Sequence, residues 1–485
     1  MTRAHDAIMR ILLLLMVLFT SHAHTEENKL PNVLLIFADD LGYCDTELYD
    51  GCDDVPTPNI KRLADEGVLF TDGYVSSPVC SQSRAGLLTG RHQQRFGHEY
   101  LPGPEDGLPL NEVTLANVMK EAGYVTSIVG KWHLGDAEKF NPLHRGFDEF
   151  FGLTPGAVNY LDPTQENSKS VRWSMEKDKY VSALPSSWVN QPPRLDPSKS
   201  PYILLKGTTE VSESEYLTEA FTREAIRFIE ENKNRPFFLY LPHFAVHGPL
   251  QVTQKYYDRF PTIEDEASRI YAAMTSALDD SIGTILDKIQ GLGLEQDTLI
   301  IFISDNGGGV SHYPNNFPLR GGKHTMFEGG VRVPFAMKWP ARIPKGVTYE
   351  EPISSLDIFP TIVAATRGKL PEEVAIDGVD LVPHLNGSDS GIPHNKLFWR
   401  SGSIWAAREG DWKLIYAGSR YWLYDLSKDI GEKLNLAGSH KEVVQRIKAS
   451  YDKWNTTNVE PLWPSYGEKS GDSYDIDGVP INWNF

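Results

Sequence analysis

Cys80 and Arg84 stand four positions apart in the run CSQSRAGLLTGR, residues 80–91, where the sequence predicts the start of a helix. Unpaired amides at a helix start attract negative charge. An arginine one turn in adds a permanent cation with several donors. The run is therefore a candidate anion site, although a lone cysteine is by itself more often a small buried apolar side chain.

Other residues able to carry chemistry follow apolar runs at once. Asp39 and Asp40 follow Asn32 to Phe37, Lys131 and His133 follow Val125 to Val129, His247 follows Phe237 to Leu241, and Asp305 and Asn306 follow Leu299 to Ile303. Brought together, three carboxylates and a carboxamide would repel and raise one another's pKa unless a cation sat among them. An all-oxygen set favours calcium or magnesium over zinc. Lysine offers a mobile point charge, and histidine exchanges protons near neutral pH. Taken singly, Asp-Asp and Asp-Asn-Gly are common turn sequences, and a single Lys or His is commonly solvated or packed. His243 competes with His247, and its place nearer the strand reads as structural.

The elements that must position these residues are strands alternating with helical patterns, which predicts a largely parallel α/β sheet. In such sheets the carboxyl ends of the strands form the ligand crevice, so four distant segments meet at one edge. Glu266 to Ile289 is the clearest covering helix, with Ile270, Met274, Leu278, Ile282, Ile285 and Ile289 at steps of three or four. Val113 to Glu121 and Glu215 to Glu231 read as further helices. Residues 155–213 are polar, aromatic and irregular, and read as an insertion near the cleft. A short helix near Ser355 to Thr361, with Asp357 as a cap, closes the first domain. Beyond it Leu397 to Arg400, Ile404 to Arg408, Trp412 to Tyr416 and Tyr421 to Asp425 predict a small antiparallel sheet. The aromatic tail from Trp454 packs over the cleft or on that sheet.

Arg3 and Arg10, an apolar run from Ile11 to Phe19 and Ser21-His22-Ala23 read as an export signal over residues 1–23. The run is too short for the roughly 20 apolar residues of a membrane span, so no permanent membrane anchor is expected. The expected division is then a domain at 24–384, containing the 155–213 insertion, and a subdomain at 385–485. The net charge of −18 over 485 residues excludes a nucleic-acid partner. It does not exclude an anionic substrate, because binding follows the local field of the cleft. Cys44 and Cys52 either bridge a short loop or stay free, since sequence does not supply the geometry.

The run at residues 80–91 resembles the sulfatase signature, in which cysteine is oxidised to formylglycine and becomes the nucleophile. Cys80, Ser81, Ser83, Arg84, Thr89, Gly90 and Arg91 match it, and Gln82 stands where proline is usual. Gly130-Lys131-Trp132-His133-Leu134-Gly135, the segment from Phe244 to Gln251 and the block from Leu319 to Pro334 are similar to further family elements. So are Gly146 to Gly152 and Leu423 to Leu426, and the resemblance extends from Pro31 to Ala437.

The resemblance implies an alkaline-phosphatase-like fold with a mostly parallel sheet flanked by helices. It implies a sulfated carbohydrate as substrate and a maturation enzyme that converts Cys80 to formylglycine. It implies calcium, with magnesium second, on Asp39, Asp40, Asp305 and Asn306, the oxygen derived from Cys80 completing the shell. Arg84 and the metal then stabilise the nucleophile, one hydroxyl of the hydrated aldehyde attacks sulfur, and His133 helps the second hydroxyl expel sulfate. Lys131, Lys323 and His247 contact the sulfate, His247 also protonating the departing alcohol, while Arg320 and Glu328 brace the Lys323 loop and His312 and His324 are weaker substrate contacts. Covalent catalysis of this kind splits one hard hydrolysis into two easier steps. A phosphoesterase of the same superfamily, or a sulfated-glycan binding protein with unmodified Cys80, are the competing readings.

Overall fold

The computed structural model describes residues 29–161, 167–174, 179–182, 204–309, 314–465 and 473–482. The export segment expected at residues 1–23 and His312 lie outside these residues.

The four apolar runs are strands. Asn32–Ala38, Val125–Lys131, Phe237–Pro242 and Thr298–Ser304 extend the expected runs by one to a few residues. They belong to a ten-stranded sheet whose order is Val347–Tyr349, Val68–Phe70, Phe335–Lys338, Thr298–Ser304, Asn32–Ala38, Phe237–Pro242, Val125–Lys131, Glu149–Leu153, Leu204–Lys206, Thr209–Val211. The central five, from Thr298–Ser304 to Glu149–Leu153, are parallel, and antiparallel strands flank them.

Continuous apolar sequence is what a strand buried on both faces needs. Along Asn32–Ala38, Val33, Leu35 and Phe37 face one core with Ala85, Leu88, Met119 and Ile362, while Leu34 and Ile36 face the other with Ile270, Met274 and Phe221. Burying each such side chain contributes roughly 1.5 to 3 kcal/mol over leaving it exposed. Leu217–Asn232 and Glu266–Gly291 cover the second face, close to the expected helices, and Leu115–Glu121 lies on the first.

The insertion differs from the irregular segment expected. Its described part contains the strands Ser168–Ser174 and Lys179–Ser182, which join Leu250–Thr253 in a three-stranded sheet, and Leu204–Lys206 and Thr209–Val211, which extend the main sheet. The run SKSVRWS alternates only Val171 and Trp173 with polar residues, a brief signal within a long polar segment. Its partner Leu250–Thr253 lies far along the chain, so nothing local announces the pairing.

Ser354 and Asp357 form a capping box at a short 3-10 turn, Ser355–Asp357, that leads into the helix Ile358–Ala365. Lys396–Ser401, Ile404–Glu409, Trp412–Ala417 and Arg420–Asp425 make the expected four-stranded antiparallel sheet, backed by the helix Lys441–Asn455. Trp454 stacks on Phe398 of that sheet at 5.2 Å, whereas Trp463 packs edge-on against His98 at 5.0 Å. The tail thus lies on the sheet first and then on the body of the chain. Among the described residues no helix is long and apolar enough to cross a membrane.

Candidate active site

The strand ends do converge. Asp39 and Asp40 leave Asn32–Ala38, and Asp305 and Asn306 leave its parallel neighbour, so the two pairs come together through the register Ala38 to Ser304. The Asp40 amide donates to an Asp305 carboxylate oxygen at 3.1 Å, and the Asn306 amide group donates to Asp40 at 2.8 Å. Lys131 ends the strand Val125–Lys131 with its Nζ 2.6 Å from Asp39. Lys323 arrives from the glycine-rich loop and donates to Asp40 at 2.7 Å.

Cys80 is the first residue of the helix Cys80–Thr89, every residue of which is buried. Its sulfur, an Asp39 oxygen and an Asp305 oxygen lie within 4.8 Å of one another, as do single ligand atoms of Asp39, Asp40 and His247. One helical turn on, Arg84 places its guanidinium 2.7 Å from Asp305 and 3.3 Å from Asp39, while its Nη1 donates to the Lys131 carbonyl. Arg84, Lys131 and Lys323 thus face Asp39, Asp40 and Asp305, so the side chains balance in charge.

Burial and these neighbours set the protonation. Burial raises Asp40, but Lys323, His247 and Lys131 outweigh it and hold its carboxyl far below the usual range. Burial and the adjacent Asp39 push Asp305 up to about 7 against the pull of Arg84. Burial also pushes the Cys80 thiol up, only partly opposed by Lys131 and Lys323. His133 and His247 are both held well below the ordinary imidazole range, by burial first and then by Lys131 and its neighbouring cations.

Two of these residues sit in left-handed backbone, Asp40 at φ 61° and His133 at φ 56°. Such conformations cluster at functional sites, and Asp and His tolerate them better than most. Gly130, before Lys131, has φ 132°, and a Cβ there would lie 2.0 Å from the Pro242 carbonyl oxygen. Only glycine lets this strand end pass its neighbour so closely.

His247 directs Nδ1 to the Gly248 carbonyl at 2.6 Å and turns Nε2 toward Asp40 at 3.6 Å. His243 turns instead to the covering helix Glu266–Gly291, where Ser281 meets its Nε2 at 3.1 Å, so the structure separates the two competitors. The His324 amide donates to the Pro78 carbonyl beside the Cys80 helix start. Gln82 is buried and donates to the Glu99 carbonyl at 3.1 Å. Arg320 donates to the Glu432 carbonyl at 2.8 Å, and Glu328 accepts from Tyr74 at 2.6 Å and Lys413 at 2.8 Å.

Two buried oxygens in the cage, Oδ1 of Asp39 and Oδ1 of Asn306, have no hydrogen-bond partner. Such atoms are costly unless something binds them, and a hard cation is the partner that this donor chemistry fits. Sequence reasoning missed Tyr160, which touches the His247 turn from inside the insertion, and Lys413, which reaches Glu328 from the C-terminal sheet. No local pattern marks either residue. Cys44 and Cys52 form a disulfide with Cα atoms 4.8 Å apart, and Cys80 stays free.

A family model described as Sulfatase matches residues 31–369, and one described as N-sulphoglucosamine sulphohydrolase, C-terminal, matches residues 322–456. The chain is 35% identical to N-acetylgalactosamine-6-sulfatase of Canis lupus familiaris over 402 residues, 79% of this chain and 71% of that protein. It is 35% identical to arylsulfatase A of Homo sapiens over 470 residues, 86% of each chain. Among solved structures, Ps i-CgsB in complex with k-i-k-neocarrahexaose superposes with a TM-score of 0.80 at 34% identity, covering 90% of this chain and 95% of that one. A family match across the whole strand edge, joined to relatives this similar over most of their length, leads to one conclusion: the chain belongs to the sulfatase family and is a sulfuric ester hydrolase of alkaline-phosphatase-like fold.

Proposed function

We propose that this enzyme is exported and cleaves a sulfate ester on a carbohydrate, using Cys80 in its formylglycine form beside a calcium ion. The observation that carries the reading is the meeting of the Cys80 sulfur with Asp39 and Asp305 within 4.8 Å, next to two buried oxygens that lack partners. Burial keeps the thiol protonated, which makes unmodified Cys80 a poor nucleophile.

Asp39, Asp40, Asp305 and Asn306 would hold the ion, which supplies Lewis acidity toward the nucleophile and the sulfate. Formylglycine supplies, once hydrated, one hydroxyl to attack sulfur and a second to release sulfate. Because Arg84, Lys131 and Lys323 already balance the three carboxylates, a divalent ion leaves the pocket with surplus positive charge. That surplus favours an anionic ester in a protein of net charge −18. Arg84 fixes the nucleophile from one helical turn away, Lys131 and Lys323 bind sulfate oxygens, and His133 takes a proton from the hydroxyl at residue 80. His247 contacts the sulfate through Nε2, its Nδ1 hydrogen being held by Gly248, and delivers a proton to the departing alcohol from its imidazolium form, which the charge of the bound sulfate favours against the burial and cations that otherwise keep the ring neutral.

A carbohydrate substrate is supported by relatives named for N-acetylgalactosamine-6-sulfate chemistry and for a neocarrahexaose complex. The Cys44–Cys52 bridge supports export, since disulfides persist in oxidising compartments. We read residues 24–384 as the catalytic domain and 385–485 as a subdomain that packs against its glycine-rich loop.

The test is to assay matched sulfate and phosphate esters and to weigh the peptide containing residue 80. Sulfate release, its loss in Cys80→Ser, and an aldehyde at residue 80 are expected. A preference for phosphate overturns the substrate class, and an unmodified cysteine in active protein overturns the formylglycine assignment.

A further inference from the structure

We infer that Tyr160 is a positioning residue for His247, its hydroxyl pinning the turn from which that imidazole reaches the site. The inference rests on the reading of His247 as proton donor to the departing alcohol.

Tyr160 is buried, and its hydroxyl lies 2.5 Å from the Phe244 carbonyl oxygen and 2.8 Å from that of His247. These are the two ends of the turn that the His247 amide closes onto the Phe244 carbonyl at 3.0 Å. One phenolic hydrogen is therefore shared between both ends. Fixing the His247 carbonyl fixes the peptide plane leading into Gly248, whose own carbonyl accepts the Nδ1 hydrogen and so orients the ring.

The rings reinforce this. Tyr160 stacks on Phe244 at 4.6 Å, Phe244 lies 5.2 Å from the His247 ring, and the Lys131 ammonium sits 5.5 Å from the Phe244 centroid. The Tyr160 backbone is itself anchored, its amide donating to Gln251 at 2.8 Å and its carbonyl accepting from Leu217 at 2.9 Å. Gln251 is buried and donates onward to Ser170, so the insertion's strand is tied to the same column. The same segment limits the other imidazole, since a Cβ on Gly156 would lie 2.7 Å from Nε2 of His133. A residue serving packing alone needs its ring here but not its hydroxyl, and that difference is measurable.

Tyr160→Phe keeps the stacked ring and deletes the hydroxyl. The matured full-length enzyme is assayed on aryl sulfates running from 4-nitrophenyl to 4-methoxyphenyl sulfate, beside His247→Ala and the double variant. A departing phenol that is less acidic depends more on a proton donor, so a misplaced donor gives a loss that grows along the series. For Tyr160→Phe the expected loss in kcat is about tenfold on the 4-methoxyphenyl ester and under about twofold on the 4-nitrophenyl ester. The double variant is expected to lose no more than His247→Ala, because Tyr160 acts through that residue. An even loss along the series, no loss, or additive losses in the double variant, with His247→Ala showing the slope, overturns the inference alone. A His247→Ala variant without the slope overturns the reading of His247 and the inference with it.

Discussion

Nζ of Lys413, on the C-terminal sheet, lies 2.8 Å from a Glu328 carboxylate oxygen at the start of the short helix Glu328–Val331, and neither side chain is exposed to solvent. The same ammonium lies 3.2 Å from Glu432, and the Glu328 amide donates back to Glu432 at 2.6 Å. Burial would raise Glu328, but Lys413 and Arg332 outweigh it and bring its carboxyl down to about 2, while burial keeps Glu432 up at about 7. The glycine-rich loop that presents Lys323 thus ends in a buried charge cluster completed by the other sheet.

Lys413→Met keeps most of the side-chain volume and removes the cation. It leaves Glu328 buried without its nearest counter-charge, and breaking a buried pair in this way costs about 3 to 5 kcal/mol. Urea denaturation of the variant is expected to show that loss of stability, together with reduced turnover because Lys323 is held less firmly. Stability within about 0.5 kcal/mol of the parent would mean the cluster contributes little.

Calcium is expected to stabilise the fold as well as the reaction. A ligand at a hundredfold excess over its Kd adds about 2.7 kcal/mol, so Tm should fall on chelation and recover when calcium is restored. Asn306→Ala and Asp39→Asn each remove or weaken an oxygen donor in the cage, and their Tm should respond far less to calcium. A calcium response of Tm that survives in both variants would place the ion elsewhere.

His394 contributes a pH-dependent increment of stability. Its Nε2 lies 2.7 Å from Asp357, the residue that shares the capping box with Ser354. Burial lowers the imidazole pKa, but the charge and hydrogen bond of Asp357 outweigh it and raise the pKa above its ordinary value. A pKa raised in the folded state gives stability fully present below the unfolded value of about 6.5 and lost as pH rises through the folded value. The difference in Tm between the parent and His394→Gln should therefore be largest at acidic pH and shrink above about pH 6.5. A difference that is flat across that window would show that the imidazole gains no charge there.

Most of the candidate site was legible in the sequence because its residues sit at the ends of strands, and a strand buried on both faces is a continuous apolar run. Asp39, Asp40, Lys131, Asp305 and Asn306 each follow such a run within three residues, so the parallel-sheet rule alone gathers them. Cys80 and Arg84 were legible for a different reason, since one helical turn separates them and the spacing is local.

What the sequence left open is what distant contacts decide. Whether Cys44 and Cys52 join depends on the geometry of the short loop between them, while which of His243 and His247 faces the cage and how residues 168–174 form a strand depend on partners far along the chain. Tyr160 and Lys413 carry no local signal, because a tyrosine in a polar insertion and a lysine in a short strand are ordinary until folding buries them against a carbonyl or a carboxylate. Periodicity and strand-end chemistry are properties of neighbouring residues and survive in a one-dimensional reading. Burial, charge compensation and the choice between two histidines exist only once chain segments hundreds of residues apart exclude water from one another.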